Sequence, residues 1–214
     1  MKRITIAFCT AVLLIACGDE KKADEPKVAS ASNDAKPADE WVAVDTATAN
    51  KAWMEYMTPG ESHNLMAKSN GEWVGEMTMW MSPDAPPMKS ITTNTNKMIM
   101  GGRYQLSTHK GNFMGQPFEG MSTMGYDNAK KVFVSSWIDN MGTGIMTMEG
   151  PWDEATKTVS FKGRMVCPAN GKECDVRETY KIVDDNTQVM EMYGPDLKTG
   201  KEYKNMEIKF TRKK

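Results

Sequence analysis

Apolar and polar residues alternate with two different periods along this chain, and the change of period divides it. From Asp45 to Met57 the spacing is helical: Ala49, Trp53 and Met57 recur at i, i+4, and Asp45 stands where a helix cap is needed. Pro59-Gly60 stops that helix, and a second short helix is predicted over Glu61 to Lys68, before Asn70-Gly71. Beyond it the period becomes two. Met77-x-Met79-x-Met81, Met98-x-Met100, Met146-x-Met148 and Met190-x-Met192 alternate as strand residues do.

Turn signals break this second region at intervals of roughly ten residues. They include Pro83-Asp84-Ala85-Pro86-Pro87, Gly101-Gly102, Lys110-Gly111-Asn112, Asp127-Asn128, Asn140-Met141-Gly142, Asn170-Gly171 and Thr199-Gly200. About ten strands fit between them, near 72–81, 89–99, 103–109, 117–126, 131–138, 143–151, 157–166, 175–183, 187–193 and 202–212. Hairpin turns without intervening helices predict a mainly β fold, an antiparallel meander of about ten strands preceded by one or two short helices. Closing the sheet into a barrel removes its exposed edges and leaves room for one small ligand inside. An open sandwich is the alternative.

The first forty residues follow neither period. Lys2-Arg3, the apolar run Ile4 to Ile15 and the sequence Leu14-Ile15-Ala16-Cys17 read as a lipoprotein signal over residues 1–16, too short for a membrane span. Cys17 is the expected lipidation site: its thiol takes a diacylglyceryl group, cleavage follows Ala16, and two or three acyl chains, palmitate among them, give durable anchoring. Gly18 to Glu40 contains no aromatic residue and only Val28 as a branched aliphatic, so with Cys17 it is expected to form a disordered tether over residues 17–40. The expected organisation is then signal peptide, tether and one β-barrel domain over residues 41–214. The bacterial cell envelope follows as location, with the lipid in the outer membrane on its periplasmic or cell-surface face.

Composition narrows the partners. The net charge is −1, and the tether's seven acids against four lysines leave the remainder near neutral, with no basic stripe for nucleic acid. Of the four cysteines, Cys9 lies in the signal and Cys17 takes the lipid. With Asn170-Gly171 at a hairpin centre, Cys167 and Cys174 should lie directly opposite and form a disulfide outside the cytoplasm.

A set of motifs stands in one order: Pro59-Gly60-x-x-His63, Gly71-x-Trp73, Pro83-x-x-Pro86-Pro87, Gly101-Gly102-Arg103, Gly115-x-Pro117-Phe118-x-Gly120, Gly125-Tyr126-Asp127-Asn128, Trp137-x-Asp139 and Glu202-x-Lys204-x-Met206-Glu207. In these the chain resembles the bacterial family called domain of unknown function 1579, over roughly residues 50–212. No activity comes with that resemblance. By looser analogy it implies a calycin-like barrel.

Twenty methionines are far above ordinary usage. Thioethers can converge on a soft ion such as Cu(I), but packing or cavity lining is the favoured reading, because the pairs recur across strands rather than at one loop. No metal or cofactor is therefore expected. His63 opens a short helix, where a base or a metal or haem ligand is conceivable and a turn-fixing hydrogen bond is favoured. His109 reads as exposed at a strand end, beside Lys110-Gly111.

Glu178 shares a strand face with Val176, Tyr180 and Ile182. A buried acid needs a partner, so Arg103 and Glu178, with Tyr126 or Tyr180, are expected to form an interior polar cluster that orients a ligand headgroup. Trp137 and Asp139 are candidates at a barrel rim, with ring plugging and turn capping as the alternative. The nucleophile elbow, phosphate loop and zinc-protease motifs are absent from the sequence. The expected function is a monomeric, non-enzymatic, lipid-anchored binder of a small apolar ligand. A packed interaction module is the alternative, and an envelope enzyme ranks third.

Overall fold

The computed structural model describes residues 41–214, and the expected signal over residues 1–16, Cys9, Cys17 and the expected tether lie outside them. Residues Val44–Lys214 form one compact unit. Helix α1 (Thr46–Met57) starts where Asp45 accepts from the Ala47 and Thr48 amides, each at 3.0 Å. Helix α2 (Glu61–Ala67) follows Gly60, whose amide donates to His63 Nδ1 at 3.0 Å.

Eleven strand segments then run in sequence: β1 (Gly71–Met79), β2 (Met88–Ile99), β3 (Tyr104–Phe113), β4 (Gln116–Asp127), β5 (Val132–Asp139), β6 (Met146–Gly150), β7 (Trp152–Asp153), β8 (Thr158–Val166), β9 (Glu173–Asp184), β10 (Thr187–Pro195) and β11 (Glu202–Arg212). Consecutive strands pair antiparallel except β6 and β7, β1 pairs with β11, and both β6 and β7 pair with β8 across the seam. β6 and β7 are one strand bent at Pro151, which lacks the amide a ladder needs. The result is a closed ten-stranded antiparallel barrel. At the seam the backbones meet closely, and a Cβ on Gly150 would overlap the Ser160 carbonyl.

Parity decides which side chains face inward. Trp73, Met77 and Met79 share the inner face of β1, as do Met206, Ile208 and Phe210 on β11. The core gathers at the end that α2 closes. Met66 packs there with Phe133, Met148, Val159, Phe161 and Val176.

The amides of Lys68, Ser69 and Asn70 bond back to the last carbonyls of α2, closing its C-terminal end tightly. Polar side chains from the barrel add further bonds to this end. Gln105 donates to Met66 O at 2.6 Å, Asn96 and the Trp73 indole donate to Ser69 O at 3.1 and 2.9 Å, and Gln188 donates to Ser69 Oγ at 2.8 Å. Arg212 lies over the Trp73 ring and donates to Lys68 O and Asn70 O. The inward polar residues at this end thus hold the helix in place.

Two expectations of local register need correcting. Lys110-Gly111-Asn112 is no turn: β3 runs through it and the reversal falls at Met114-Gly115, both with positive φ. In the β8–β9 hairpin Cys174 lies opposite Met165, not Cys167. The loop closes as a helical turn, with the Gly171 amide on Cys167 O at 2.8 Å and only Gly171 at positive φ, which moves the register by two residues. Cys167 and Cys174 are free thiols in this structure, on one face and diagonal to each other.

Candidate functional site

The end opposite α2 is the mouth, and a large apolar side chain is exposed in four of its connections (Met81, Met114, Ile145 and Leu197) and at the end of β8 beside the fifth (Val166). A pocket of about 290 Å³ opens at this end between β1, β2 and the β3–β4 turn, lined by Met77, Met79, Met88, Ser90 and Phe113 among others. Ser90 Oγ is buried there without a hydrogen-bond partner, and so is Asn94 Oδ1 on the same face of β2.

Farther in, two titratable groups face the interior. Glu178 sits between Phe161 of β8 and Met192 of β10. Burial alone pushes its carboxyl up to about 7, with no hydrogen bond or charge to offset it. His109 sits between Asn94 and Gly120, its ring 5.1 Å from Trp137 and 6.3 Å from Phe210. Burial lowers its imidazole to about 4, so it is neutral at physiological pH, again with no polar partner. His109 is therefore inside the barrel rather than exposed at a strand end. β3 extends past it, and its parity is that of buried Gln105 and Ser107. In strand order around the barrel, β3 and β9 are diametrically opposed, so the two groups arise from opposite walls.

The expected interior cluster of Arg103, Glu178 and a tyrosine does not form. Arg103 belongs to the β2–β3 turn, where its guanidinium donates to Met57 O at 2.9 Å and Met100 O at 3.3 Å. The Gly101-Gly102 pair, both at positive φ, turns the chain there and carries Arg103 to the outer wall. Tyr180 shares the inner face with Glu178 but gives its hydroxyl to Gln188, and burial raises its pKa. Tyr126 packs edge-on against Phe133 and His63.

A second cleft, about 430 Å³, lies on the outer wall beneath α1 and collects His63, Arg103, Tyr126, Asp127 and Asn128. Its polar groups are spoken for. Asn128 Nδ2 donates to three carbonyls at the end of α1 (Glu55, Tyr56 and Thr58), and Asp127 Oδ1 accepts from the Ala129 and Lys130 amides. His63 accepts from Gly60, and burial first, then Arg103, lower its pKa. These motif residues fix the two helices to the barrel.

Trp137 and Asp139 combine two roles at the mouth. The indole donates to Asp139 Oδ2 at 2.7 Å, while Oδ1 caps the following turn through the Met141 and Gly142 amides. The Trp137 ring lies where a Gly120 side chain would be, so only glycine fits at that position. Among the described residues no group of three or more His, Cys, Asp or Glu side chains could hold a metal, and no helix is long and apolar enough to cross a membrane.

His109 is the residue that sequence reasoning missed. The signal that could have found it is its alternation with Gln105 and Ser107, masked by the turn-like residues that follow.

Solved structures similar to the barrel include the following two. Rv2717c from M. tuberculosis superposes with a TM-score of 0.57 at 11% identity, covering 73% of this chain and 100% of that one. The S-type phycobiliprotein lyase CPES from Guillardia theta superposes with a TM-score of 0.50 at 7% identity, covering 76% and 97%. At such identities the likeness concerns the fold. No curated protein matches this sequence. The family model described as "Protein of unknown function (DUF1579)" matches residues 58–212, most of the barrel and its helical cap, and the chain belongs to that family.

Proposed function

We propose that this protein is a non-enzymatic, monomeric binder that holds one small, largely apolar ligand inside the barrel. One observation carries the reading: Glu178 and His109 face the interior from opposite walls without a polar partner. Both residues are half-buried, and polar groups drawn partly out of water without a partner cost stability that a bound molecule with a hydrogen-bonding group would restore. Methionine suits the remaining wall because its flexible thioether adapts to an irregular guest. One of the similar folds belongs to a phycobiliprotein lyase, and a ligand-binding barrel is consistent with that likeness.

The apolar mouth suits a ligand taken from a lipid phase. That agrees with the anchor expected at Cys17, which would keep the domain on the cell envelope by its acyl chains. Export would also expose Cys167 and Cys174 to oxidants, and their shared face leaves a disulfide within reach of a small loop movement.

Native mass spectrometry of residues 41–214 tests the ligand reading. A co-purifying small molecule, lost in the Glu178→Gln variant, is the expected result. An unliganded protein that also takes up no apolar fluorophore, or takes it up equally in Glu178→Gln and His109→Phe, would sink it. Detergent-phase partitioning tests the anchor: wild type should enter the detergent phase and Cys17→Ala should remain aqueous.

A further inference from the structure

The strand registers bring four methionines into one lateral row. Met88 of β2 lies opposite Met79 of β1, Met79 opposite Met206 of β11, and Met206 opposite Met192 of β10. The next member of the row, opposite Met192 on β9, is Glu178. All five share the inward face, since Trp73, Ile208, Gln188 and Val176 on the same parity are buried. Directly opposed residues have Cβ atoms about 4.5–5.5 Å apart. Three rotatable bonds let each thioether sulfur swing toward its neighbour. The row begins at the mouth, where Met79 and Met88 line the pocket, and ends at a carboxyl that no protein group engages.

We propose that Met79, Met206 and Met192, with Met88 at the rim, form a thioether site for Cu(I), with Glu178 supplying the counter-charge. Thioethers are soft donors that favour Cu(I) over harder divalent ions. A cation leaving water for an apolar interior needs an anionic group beside it, and Glu178 is the acid that the row reaches. Packing alone explains less. Met77, Met190 and Met206 do pack against Trp73, Ile208 and Phe210. Leucine would fill that wall as well, and packing gives no reason for sulfur on four consecutive staves at one level. Both readings use the Glu178 carboxyl, but the methionine row alone carries this one, so Met192→Leu and Met206→Leu separate it from an organic ligand.

The test uses the full chain with its four cysteines changed to serine, because thiolates would compete for the metal. Anaerobic titration with Cu(I) against a chromogenic chelator should show one ion held more tightly than about 1 μM. Met206→Leu, Met192→Leu and Glu178→Gln should each weaken it at least about tenfold, whereas Met121→Leu, on the outer wall, should not. Thermal melts check that the variants fold. Methyl NMR of the unsubstituted methionines gives a reading that needs no variant: the resonances of Met79, Met192 and Met206 should move together at one equivalent. The proposal is overturned if no ion is retained at micromolar concentration, if the leucine variants bind as tightly as the parent, or if the methyl shifts spread evenly over all methionines.

Discussion

Lowering the pH from 7 to 4.5 should change the stability of this barrel far less than either interior group alone would, because the two oppose each other and leave the loss from His63, whose pKa the fold also lowers. His109 has an ordinary pKa of 6.5 and about 4 in the fold. Its contribution is present above 6.5 and is lost as pH falls toward 4, since the unfolded chain takes up a proton that the folded one refuses. Glu178 has an ordinary pKa of 4.5 and about 7 in the fold. Its contribution is fully present below 4.5 and is lost as pH rises through 7, because here the folded chain is the better proton acceptor. At 1.36 kcal/mol per pKa unit, each arm spans about 3 kcal/mol with opposite sign. Glu178→Gln should therefore lose about 3 kcal/mol, relative to wild type, between pH 7 and 4.5, and His109→Gln should gain about as much. The double variant should track the wild type. Urea unfolding at several pH values measures this directly, with unchanged m-values required for the comparison. If both single variants parallel the wild type, neither group is desolvated and the interior is wetter than the geometry implies.

Three further outcomes follow from particular contacts. Gly150→Ala should destabilise the barrel by more than about 2 kcal/mol, seen as a lower thermal midpoint, because the added methyl meets backbone at the seam. Gln105→Leu should cost about 0.5–1.5 kcal/mol in urea unfolding, since it removes one of the two hydrogen bonds to the Met66 carbonyl and leaves the Ser69 amide as its partner. Asn128→Ala should free the end of α1, raising hydrogen exchange and protease cleavage near Met57 while the barrel's melting temperature moves little.

The period-two pattern made the meander legible, because each hairpin reversed near a Gly, Asn or Asp cluster and side-chain parity needs no tertiary knowledge. It also placed Glu178 on the face of Val176 and Tyr180, where the structure has it. What failed was local turn chemistry. Lys110-Gly111-Asn112 looked like a reversal, yet Thr92 Oγ1 on the neighbouring strand donates to the Lys110 carbonyl at 2.9 Å and the ladder continues on both sides. Taken as a turn, those residues would leave His109 at an exposed strand end, whereas the continuing ladder keeps it inside. Asn170-Gly171 looked like a two-residue turn, but Asn170 has no positive φ and the loop needs four residues. Partners across the barrel were illegible for another reason. Arg103 and Glu178 are both strand-adjacent polar residues, and only closure of the sheet and the glycine pair before Arg103 separate one to the outer wall and the other to the inside.

The polar residues inside this barrel fall into two groups with different physical standing. At the closed end Asn96, Gln105 and Gln188 have partners on α2 and the turn that follows it, so their burial is compensated within the chain. Toward the mouth His109, Glu178, Ser90 and the Asn94 carbonyl oxygen have none. A fold optimised only to be stable would exchange that second group for apolar residues at little cost in volume. Keeping them at the accessible end, beside adaptable thioethers, fits a cavity whose polar groups are completed by something that enters. The same division says where substitutions should report: changes at the closed end on stability, and changes toward the mouth on what the barrel holds.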